Sequence, residues 1–155
     1  MRAIVLEEYG GPEVLTAVDV ADPIPGPEEV LVEIAATAVN RADLLQRMGL
    51  YPGPRMTHEI PGMELAGKVA SVGERVAAWN VGDAVMGIVG GGAYAERAAV
   101  HERQLMRVPA EVGLPDAAAI PEVFITAYDA LVLQGGLTAG SWALVHAGAS
   151  GVGTA

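Results

Sequence analysis

The segment from Gly62 to Val76 reads GMELAGKVASVGERV and decides the fold class of the chain. Its central run, from Leu65 to Val72, is rich in apolar and β-branched residues and lies between glycines, which is typical of a buried β-strand. Similar runs follow one another along the chain between Gly, Pro and Asp turn signals, at Ala3–Leu6, Val30–Val39, Ala84–Val89 and Ala93–Val100. Many short strands with brief connections predict an all-β barrel or a sandwich-like unit.

Two helices interrupt this pattern of strands. The first is predicted from Asn40 to Gly49, because Asn40 is a good N-cap, Asp43 lies in the first turn and a glycine ends the segment. The second is predicted from Pro121 to Gln134, since proline is tolerated in a first turn. Its apolar residues recur at helical spacing, at Phe124, Ala127, Tyr128 and Leu131. We therefore expect a mainly β chain with short helices.

The composition describes a globular chain that does not suit a polyanionic partner. Of the 155 residues, 52% are hydrophobic, which is enough for a real core. Nine Lys and Arg against 19 Asp and Glu give a net charge of −10, which argues against binding to nucleic acid or to an anionic membrane. The absence of cysteine excludes disulfides and sulfur-ligated zinc. Because an acidic pair follows the first apolar residues, we expect no signal peptide and a cytoplasmic protein.

The end of the chain differs from the rest, because residues 130–155 contain no Asp, Glu, Lys or Arg. The run Ser141–His146 is typical of a parallel strand buried on both faces. Gly148-x-x-Gly151-x-Gly153 follows it and is either a dinucleotide-binding turn or an ordinary glycine-rich turn. Since a parallel strand needs neighbours, we expect the N-terminal part of a longer protein whose second domain begins here. The alternative is a complete small protein with a glycine-rich tail.

Two motifs together indicate a family. Residues Gly62–Val76 have the form G-x-E-x-x-G-x5-G-x2-V, and the glycine turn stands after them. This combination resembles the medium-chain dehydrogenase/reductase superfamily, whose zinc alcohol dehydrogenases carry histidine in the second position. The whole chain resembles the zeta-crystallin-like quinone oxidoreductases, most closely the tumour-suppressor-inducible type. The further matching segments are Asn40–Asp43, Gly49–Pro52, Val81–Val85, Gly91–Glu96, Pro121–Ala127 and His146–Gly153.

The chain departs from the zinc enzymes at their metal site. By the resemblance, their first metal-binding cysteine falls near Asn40 and their metal-binding histidine falls on Met63. We therefore expect no metal at that place. Without a Lewis acid, alcohol oxidation by the zinc route loses its main stabilising interaction, whereas an electron-poor acceptor can still take a hydride.

The resemblance implies a GroES-like β-barrel catalytic domain over residues 1–121, followed by the linking helix, first strand and turn of an incomplete Rossmann domain over residues 122–155. It also implies NADPH as cofactor, hydride transfer to a quinone or enone in the cleft between the domains, and a homodimer at full length. The 155-residue chain alone is expected to bind NADPH weakly or not at all and to show no turnover. The alternatives are an enoyl or enal reductase of the same superfamily and a non-enzymatic association module.

Site residues are carried over from the family one by one. The catalytic candidates are Tyr51, Asn40 and Asp43, and the cofactor-binding candidates are Asn40, Tyr51, Thr126, Gly148, Ser150, Gly151, Val152 and Gly153. Four of these side chains also have a purely structural interpretation. In that interpretation Asn40 and Asp43 cap a helix, Tyr51 packs in a turn, and Thr126 bonds to a helix carbonyl. Glu64 is either a barrel residue that holds the edge of the cleft or a group that takes part in the chemistry. His146 is expected to be buried and hydrogen-bonded.

Overall fold

The computed structural model describes residues 1–51 and 59–155. Its strands are β1 (Arg2–Leu6), β2 (Leu15–Asp19), β3 (Glu29–Ala36), β4 (Glu64–Val72), β5 (Ala84–Ile88), β6 (Arg97–His101) and β7 (Leu105–Arg107). Its helices are α1 (Arg41–Arg47), α2 (Leu114–Ala117), α3 (Pro121–Tyr128) and α4 (Gly151–Thr154), with a π-helical turn at Asp129–Gln134 and short 3-10 turns at Pro12–Val14 and Glu102–Gln104. The prediction of a mainly β chain with short helices is confirmed.

Five of the strands form one antiparallel sheet, in the order β6-β3-β4-β5-β7. Strands β1 and β2 form a separate antiparallel pair. This pair is joined to the segment before β6, because the Ile4 amide donates to the Tyr94 carbonyl at 2.8 Å and Ala3 bridges Ala95. The predicted strand Ala93–Val100 is therefore divided: its first residues pair with β1, and its last residues pair with β3 in the main sheet.

Strand β4 lies at the centre of the sheet and is hydrogen-bonded on both sides, to β3 and to β5. Its first four residues, Glu64–Gly67, are all buried. The main core packs around it and contains Val30, Val32, Leu65, Val69, Val85, Val89, Ala93, Ala98, Val100 and Leu105. The segment that suggests the fold class in the sequence is therefore also the strand on which the core is built.

Two glycines of the Gly62–Val76 motif are required by close backbone approach. Gly62 has φ +102°, and an added Cβ would lie 2.6 Å from the Tyr94 backbone nitrogen. At Gly67, an added Cβ would overlap the carbonyl oxygen of Glu33 on the neighbouring strand. Only glycine satisfies both conditions, which gives a steric reason for its place in the motif.

Both predicted helices are present. Asn40 occupies the N-cap position of α1 in an extended conformation, and Gly49 takes φ +73° just after the helix ends. Helix α3 begins at Pro121 and continues through the π-helical turn to Gln134, as predicted. Its apolar side is only partly covered, since Phe124, Tyr128 and Leu131 are exposed.

Three elements were not predicted: β2, β7 and α2. The side chains of β2 are mostly exposed, so this strand is held by its backbone pairing with β1 and has no apolar pattern. Strand β7 has three residues and α2 has four, which is too short for a periodic signal. Pro52 of the Gly49–Pro52 match lies outside the described residues.

The predicted strand Ser141–His146 does not form. These residues pair with no other strand in the described chain, and every side chain in 141–150 is exposed, Trp142 by 98%. The prediction that His146 is buried is wrong for the same reason. A strand needs backbone partners, and the described residues contain none for this run. No helix in residues 1–51 and 59–155 is long and apolar enough to cross a membrane.

Candidate functional site

A buried carboxylate, that of Glu64 at the start of β4, connects three parts of the chain. It is 1% exposed. Its Oε1 accepts a hydrogen bond from Asn40 Nδ2 at 2.7 Å, and its Oε2 accepts one from the Glu122 backbone amide at 2.9 Å. The Glu64 carbonyl oxygen accepts from Thr37 Oγ1 at 2.6 Å. A buried charge is tolerated when hydrogen bonds satisfy it, and here both carboxylate oxygens have donors.

The first turn of α1 is fixed by Asp43. Its Oδ2 accepts the backbone N–H of Asn40 at 2.7 Å, so the predicted capping role of Asp43 is present. The same oxygen accepts a hydrogen bond from the Tyr94 hydroxyl at 3.0 Å. Asn40 is thus held at two points, its backbone by Asp43 and its side chain by Glu64.

Three acidic groups of this cluster, Asp43, Tyr94 and Glu122, have raised pKa values. Burial raises the pKa of Asp43, and the hydrogen bonds that it accepts from Asn40 and Tyr94 oppose part of this rise. Burial and the neighbouring Asp43 carboxylate raise the pKa of Tyr94 well above its usual range. The pKa of Glu122 is raised by burial and by the charges of Glu64 and Asp43. Tyr94 therefore acts as a hydrogen-bond donor at neutral pH.

A cleft of about 390 Å³ lies against this cluster. Asn40 and Glu64 line one side of it, and Gly151 and Thr154 of α4 line another. Val123 and Phe124 of α3 supply apolar wall. The cleft therefore joins the start of α1, in the sheet region, to the glycine turn near the end of the chain.

The predicted site residues do not all meet in this cleft. Of the candidates, Asn40 and Gly151 line it. Asp43 is buried behind Asn40 and contributes nothing to the lining. Tyr51 and Thr126 are exposed and lie outside the lining set. Of the remaining candidates, Gly148 and Ser150 precede α4, and Val152 and Gly153 lie within it.

The turn before α4 is shaped by a serine cap and by its glycines. Ser150 Oγ accepts from the Gly153 backbone amide at 3.0 Å and caps the helix. An added Cβ at Gly153 would overlap the Ala147 carbonyl oxygen, so the turn is tight on that side. At Gly148 an added Cβ would have no atom within 4 Å, so the turn is open on the other side.

The donors at the place of the zinc ligands do not fit zinc. The Asn40 amide nitrogen already donates a hydrogen bond to Glu64, and the Met63 side chain is a buried thioether. Zinc sites in proteins use thiolate, imidazole or carboxylate ligands. No group of three or more His, Asp or Glu residues in the described ranges could hold a metal ion.

Sequence reasoning missed two members of the cluster, Tyr94 and the backbone amide of Glu122. Both lie in segments that carried the family resemblance, but nothing in those segments indicates that Tyr94 donates to Asp43 across 51 positions. The Glu122 amide could have been suspected, because the first amides of a helix have no partner within it and need an external acceptor. For Glu64, the structure favours the first interpretation, in which it holds the cleft edge.

Comparison with known proteins identifies the family of the chain. Residues 26–110 match the alcohol dehydrogenase GroES-like domain family. Quinone oxidoreductase from Lama guanicoe is 42% identical over 159 aligned residues, which cover 100% of this chain and 48% of that protein. The chain spans about half the length of the curated relatives it matches.

Two solved structures share the fold. The human synaptic vesicle membrane protein VAT-1 homolog-like protein superposes with a TM-score of 0.92 at 35% identity, over 99% of this chain and 50% of that one. Quinone oxidoreductase from Escherichia coli, solved in complex with NADPH, gives a TM-score of 0.81 at 32% identity, over 86% of this chain and 41% of that one. The resemblance to quinone oxidoreductases is thus confirmed.

Proposed function

This chain belongs to the alcohol dehydrogenase GroES-like domain family, and from that premise we propose that it forms the acceptor-binding half of an NADPH-dependent reductase. The reaction is hydride transfer, independent of zinc, to quinones or similar electron-poor carbonyl compounds. Relatives named quinone oxidoreductase and the NADPH complex of the Escherichia coli protein support this proposal. So does the mismatch between the donors at Asn40 and Met63 and the ligands that zinc prefers.

The observation that carries the proposal is the shared cleft of about 390 Å³, lined by Asn40 and Glu64 on one side and by Gly151 on the other. A nicotinamide nucleotide is long enough to have its phosphates at one such wall and its ring at the other. Catalysis of this kind requires the donor and acceptor to be held at near-attack distance. A cleft that joins a glycine turn to a fixed polar side chain suits that task.

In this proposal, the chain's own residues bind NADPH and orient it and the acceptor. When bound, NADPH supplies the hydride. In the proposal, Gly148, Ser150, Gly151, Val152 and Gly153 hold its phosphates, and Thr126 approaches its carboxamide. Asn40 and Tyr51 stand at the nicotinamide end, where a hydrogen bond from Tyr51 to the acceptor oxygen would stabilise developing negative charge.

Asp43 has a different part in the proposal from the one that the family match suggests. Because it is buried and accepts the Asn40 backbone amide, it positions Asn40 and does not touch the acceptor. Its role is therefore in holding the site together. Tyr94 acts with it, through the hydrogen bond to the same carboxylate oxygen.

The wider organisation belongs to the same proposal. We assign residues 1–121 to the catalytic domain and residues 122–155 to the start of the nucleotide-binding domain. The complete protein is proposed to be a cytoplasmic homodimer. The exposed apolar side chains of Phe124, Tyr128 and Trp142 favour a second candidate role, in which the chain serves as an association module.

The test is a substrate panel on the complete gene product, with oxidation of NADPH followed by its absorbance. We expect turnover with quinones and slower turnover with enals and enoyl thioesters, and none by the 155-residue chain alone. The Asn40→Ala variant should lower kcat/KM about tenfold or more, as loss of a positioned hydrogen bond does. Asn80→Ala, at an exposed turn residue that does not line the cleft, should leave kcat/KM within about twofold.

The outcomes separate the candidates. Faster reduction of enals than of quinones would identify the alternative reductase. A complete protein that neither binds nor oxidises NADPH would leave the association role. Turnover by the 155-residue chain would show that the cleft needs no further domain.

A further inference from the structure

The Glu64 carboxylate holds two groups from different parts of the chain, the side chain of Asn40 before α1 and a backbone amide at the start of α3. One oxygen holds the side chain of Asn40 at 2.7 Å, beside the cleft. The other holds the first free amide of α3, the helix that carries Thr126, at 2.9 Å. Because Glu64 is 1% exposed, its carboxylate is largely shielded from solvent, which strengthens both bonds. Glu64 therefore links the side chain of Asn40 directly to the start of α3.

The carboxylate also decides how the Asn40 amide is turned. A carboxylate only accepts hydrogen bonds, so the atom of Asn40 that faces it must be Nδ2. The backbone of Asn40 is fixed separately by Asp43, at 2.7 Å. With both ends held, the amide has one orientation at the cleft wall.

We propose that Glu64 is a positioning residue for nucleotide binding, which acts by holding the Asn40 side chain in the orientation that receives NADPH. This inference rests on the proposed function and deepens it. It assigns to the acidic residue of the Gly62–Val76 motif a role through Asn40 and not through contact with substrate. No proton or electron passes through Glu64 in this role.

The Glu64→Gln substitution separates the two bonds. Glutamine has one acceptor oxygen, which can keep the hydrogen bond from the Glu122 backbone amide. Its amide group then faces Asn40 Nδ2, so two donors meet and the Asn40 side chain turns or moves away. The hydrogen bond to α3 is kept, while the Asn40 amide loses the orientation that the carboxylate imposes on it. The matched control is Glu33→Gln, which removes the same charge from an exposed position on β3.

The experiment is a double-mutant cycle on the complete gene product, with NADPH affinity measured by fluorescence titration at a temperature where all variants are folded. We expect Glu64→Gln to weaken NADPH binding about tenfold, as the loss of a positioned hydrogen bond does. Asn40→Ala should have a similar effect, and the double variant should be no weaker than Asn40→Ala alone. Glu33→Gln should change the affinity less than about twofold. Additive losses, or an unchanged affinity in Glu64→Gln, would overturn the proposal.

A second measurement needs no nucleotide. The side-chain NH₂ signal of Asn40, assigned by NMR, should show slowed hydrogen exchange in the wild-type protein and lose this protection in Glu64→Gln. An Asn40 signal that is the same in both proteins contradicts the positioning role. A wild-type protein that binds no NADPH refutes the proposed function instead, so the two failures are distinguishable.

Discussion

Strand β4 and the run Ser141–His146 are both apolar segments next to glycines, yet they have opposite surroundings. Strand β4 is hydrogen-bonded to β3 and β5, and its Leu65 is fully buried. Ser141–His146 has no strand partner in the described chain, and its Leu144 is 84% exposed. The composition of a segment gives a tendency to form a strand, but neighbours on both sides make the strand.

The largest difference between the two regions is expected for a methyl group added to a glycine. Gly67→Ala places a Cβ against the Glu33 carbonyl oxygen in the centre of the sheet, where both backbones are fixed. We expect a loss of about 3 kcal/mol or more in the free energy of unfolding. Gly148→Ala meets open space in the C-terminal turn and should change stability by less than about 0.5 kcal/mol. Chemical denaturation measures the free energy of unfolding of both variants. Equal losses in the two variants would contradict the difference that we expect between the regions.

Truncation of a leucine should give the next largest contrast. Leu65→Ala removes a fully buried side chain from the main core and is expected to cost about 2–5 kcal/mol. Leu144→Ala removes a side chain that contacts mainly solvent and should cost less than about 0.5 kcal/mol. The midpoint of urea denaturation reports both. A large loss for Leu144→Ala would mean that the C-terminal run is packed in solution.

Removal of a tyrosine hydroxyl tests the polar part of the sheet region. Tyr94→Phe deletes the hydrogen bond to Asp43 and leaves a buried carboxylate short of a donor, which should cost about 1–3 kcal/mol. Tyr128→Phe, on the exposed side of α3, should be within about 0.5 kcal/mol of the wild type. Thermal unfolding of the two variants compares them directly. Similar unfolding temperatures would show that the Tyr94 hydroxyl is not needed.

The smallest effect is a dependence of stability on pH. Because its pKa is raised by burial, Asp43 keeps its proton to higher pH in the folded chain than in the unfolded one. Its contribution therefore favours the fold at low pH and is lost as the pH rises from the ordinary carboxyl pKa through the raised one. Asp43→Asn keeps an oxygen for Asn40 and Tyr94 but cannot ionise. Its stability relative to the wild type should rise over this range of pH and then stay constant.

Asp22 is the control of opposite sign for this pH measurement. The hydrogen bond from the N-terminal ammonium group, together with Arg97, lowers the pKa of Asp22. Its contribution to stability is present above the ordinary carboxyl pKa and is lost as the pH falls through the lowered one. The stability of Asp22→Asn relative to the wild type should therefore fall as the pH rises. Two variants with the same sign of pH dependence would contradict the assignment.

The parts of the fold that the sequence predicts are those with strong local signals. Strand β4 and helix α1 have them, because the apolar run of one and the cap and terminal glycine of the other mark their extent. Strand β2 lacks such a signal, since its side chains are exposed and its pairing with β1 is made by the backbone. The error at Ser141–His146 has the opposite cause: the local signal is strong, but the pairing partners are absent from the described residues.

The sequence predicts which residues belong to the candidate site better than it predicts the contacts between them. Asn40 and Gly151 were both found through the family resemblance, and both line the cleft. That Asp43 lies behind Asn40, and that Tyr94 donates to it, depends on how α1 packs against the segment before β6. The hydrogen bond between Tyr94 and Asp43 joins residues that are 51 positions apart, and a single sequence has no local pattern for it.

The central claim is that a reduced nicotinamide nucleotide delivers hydride in a cleft whose residues do not suit a metal. The most direct measurement is the rate of quinone-dependent NADPH oxidation by the complete gene product, before and after exhaustive treatment with a chelator. We predict clear turnover and the same rate after chelation. Absence of quinone-dependent oxidation, or a rate that is lost on chelation and restored by Zn²⁺, would contradict the claim.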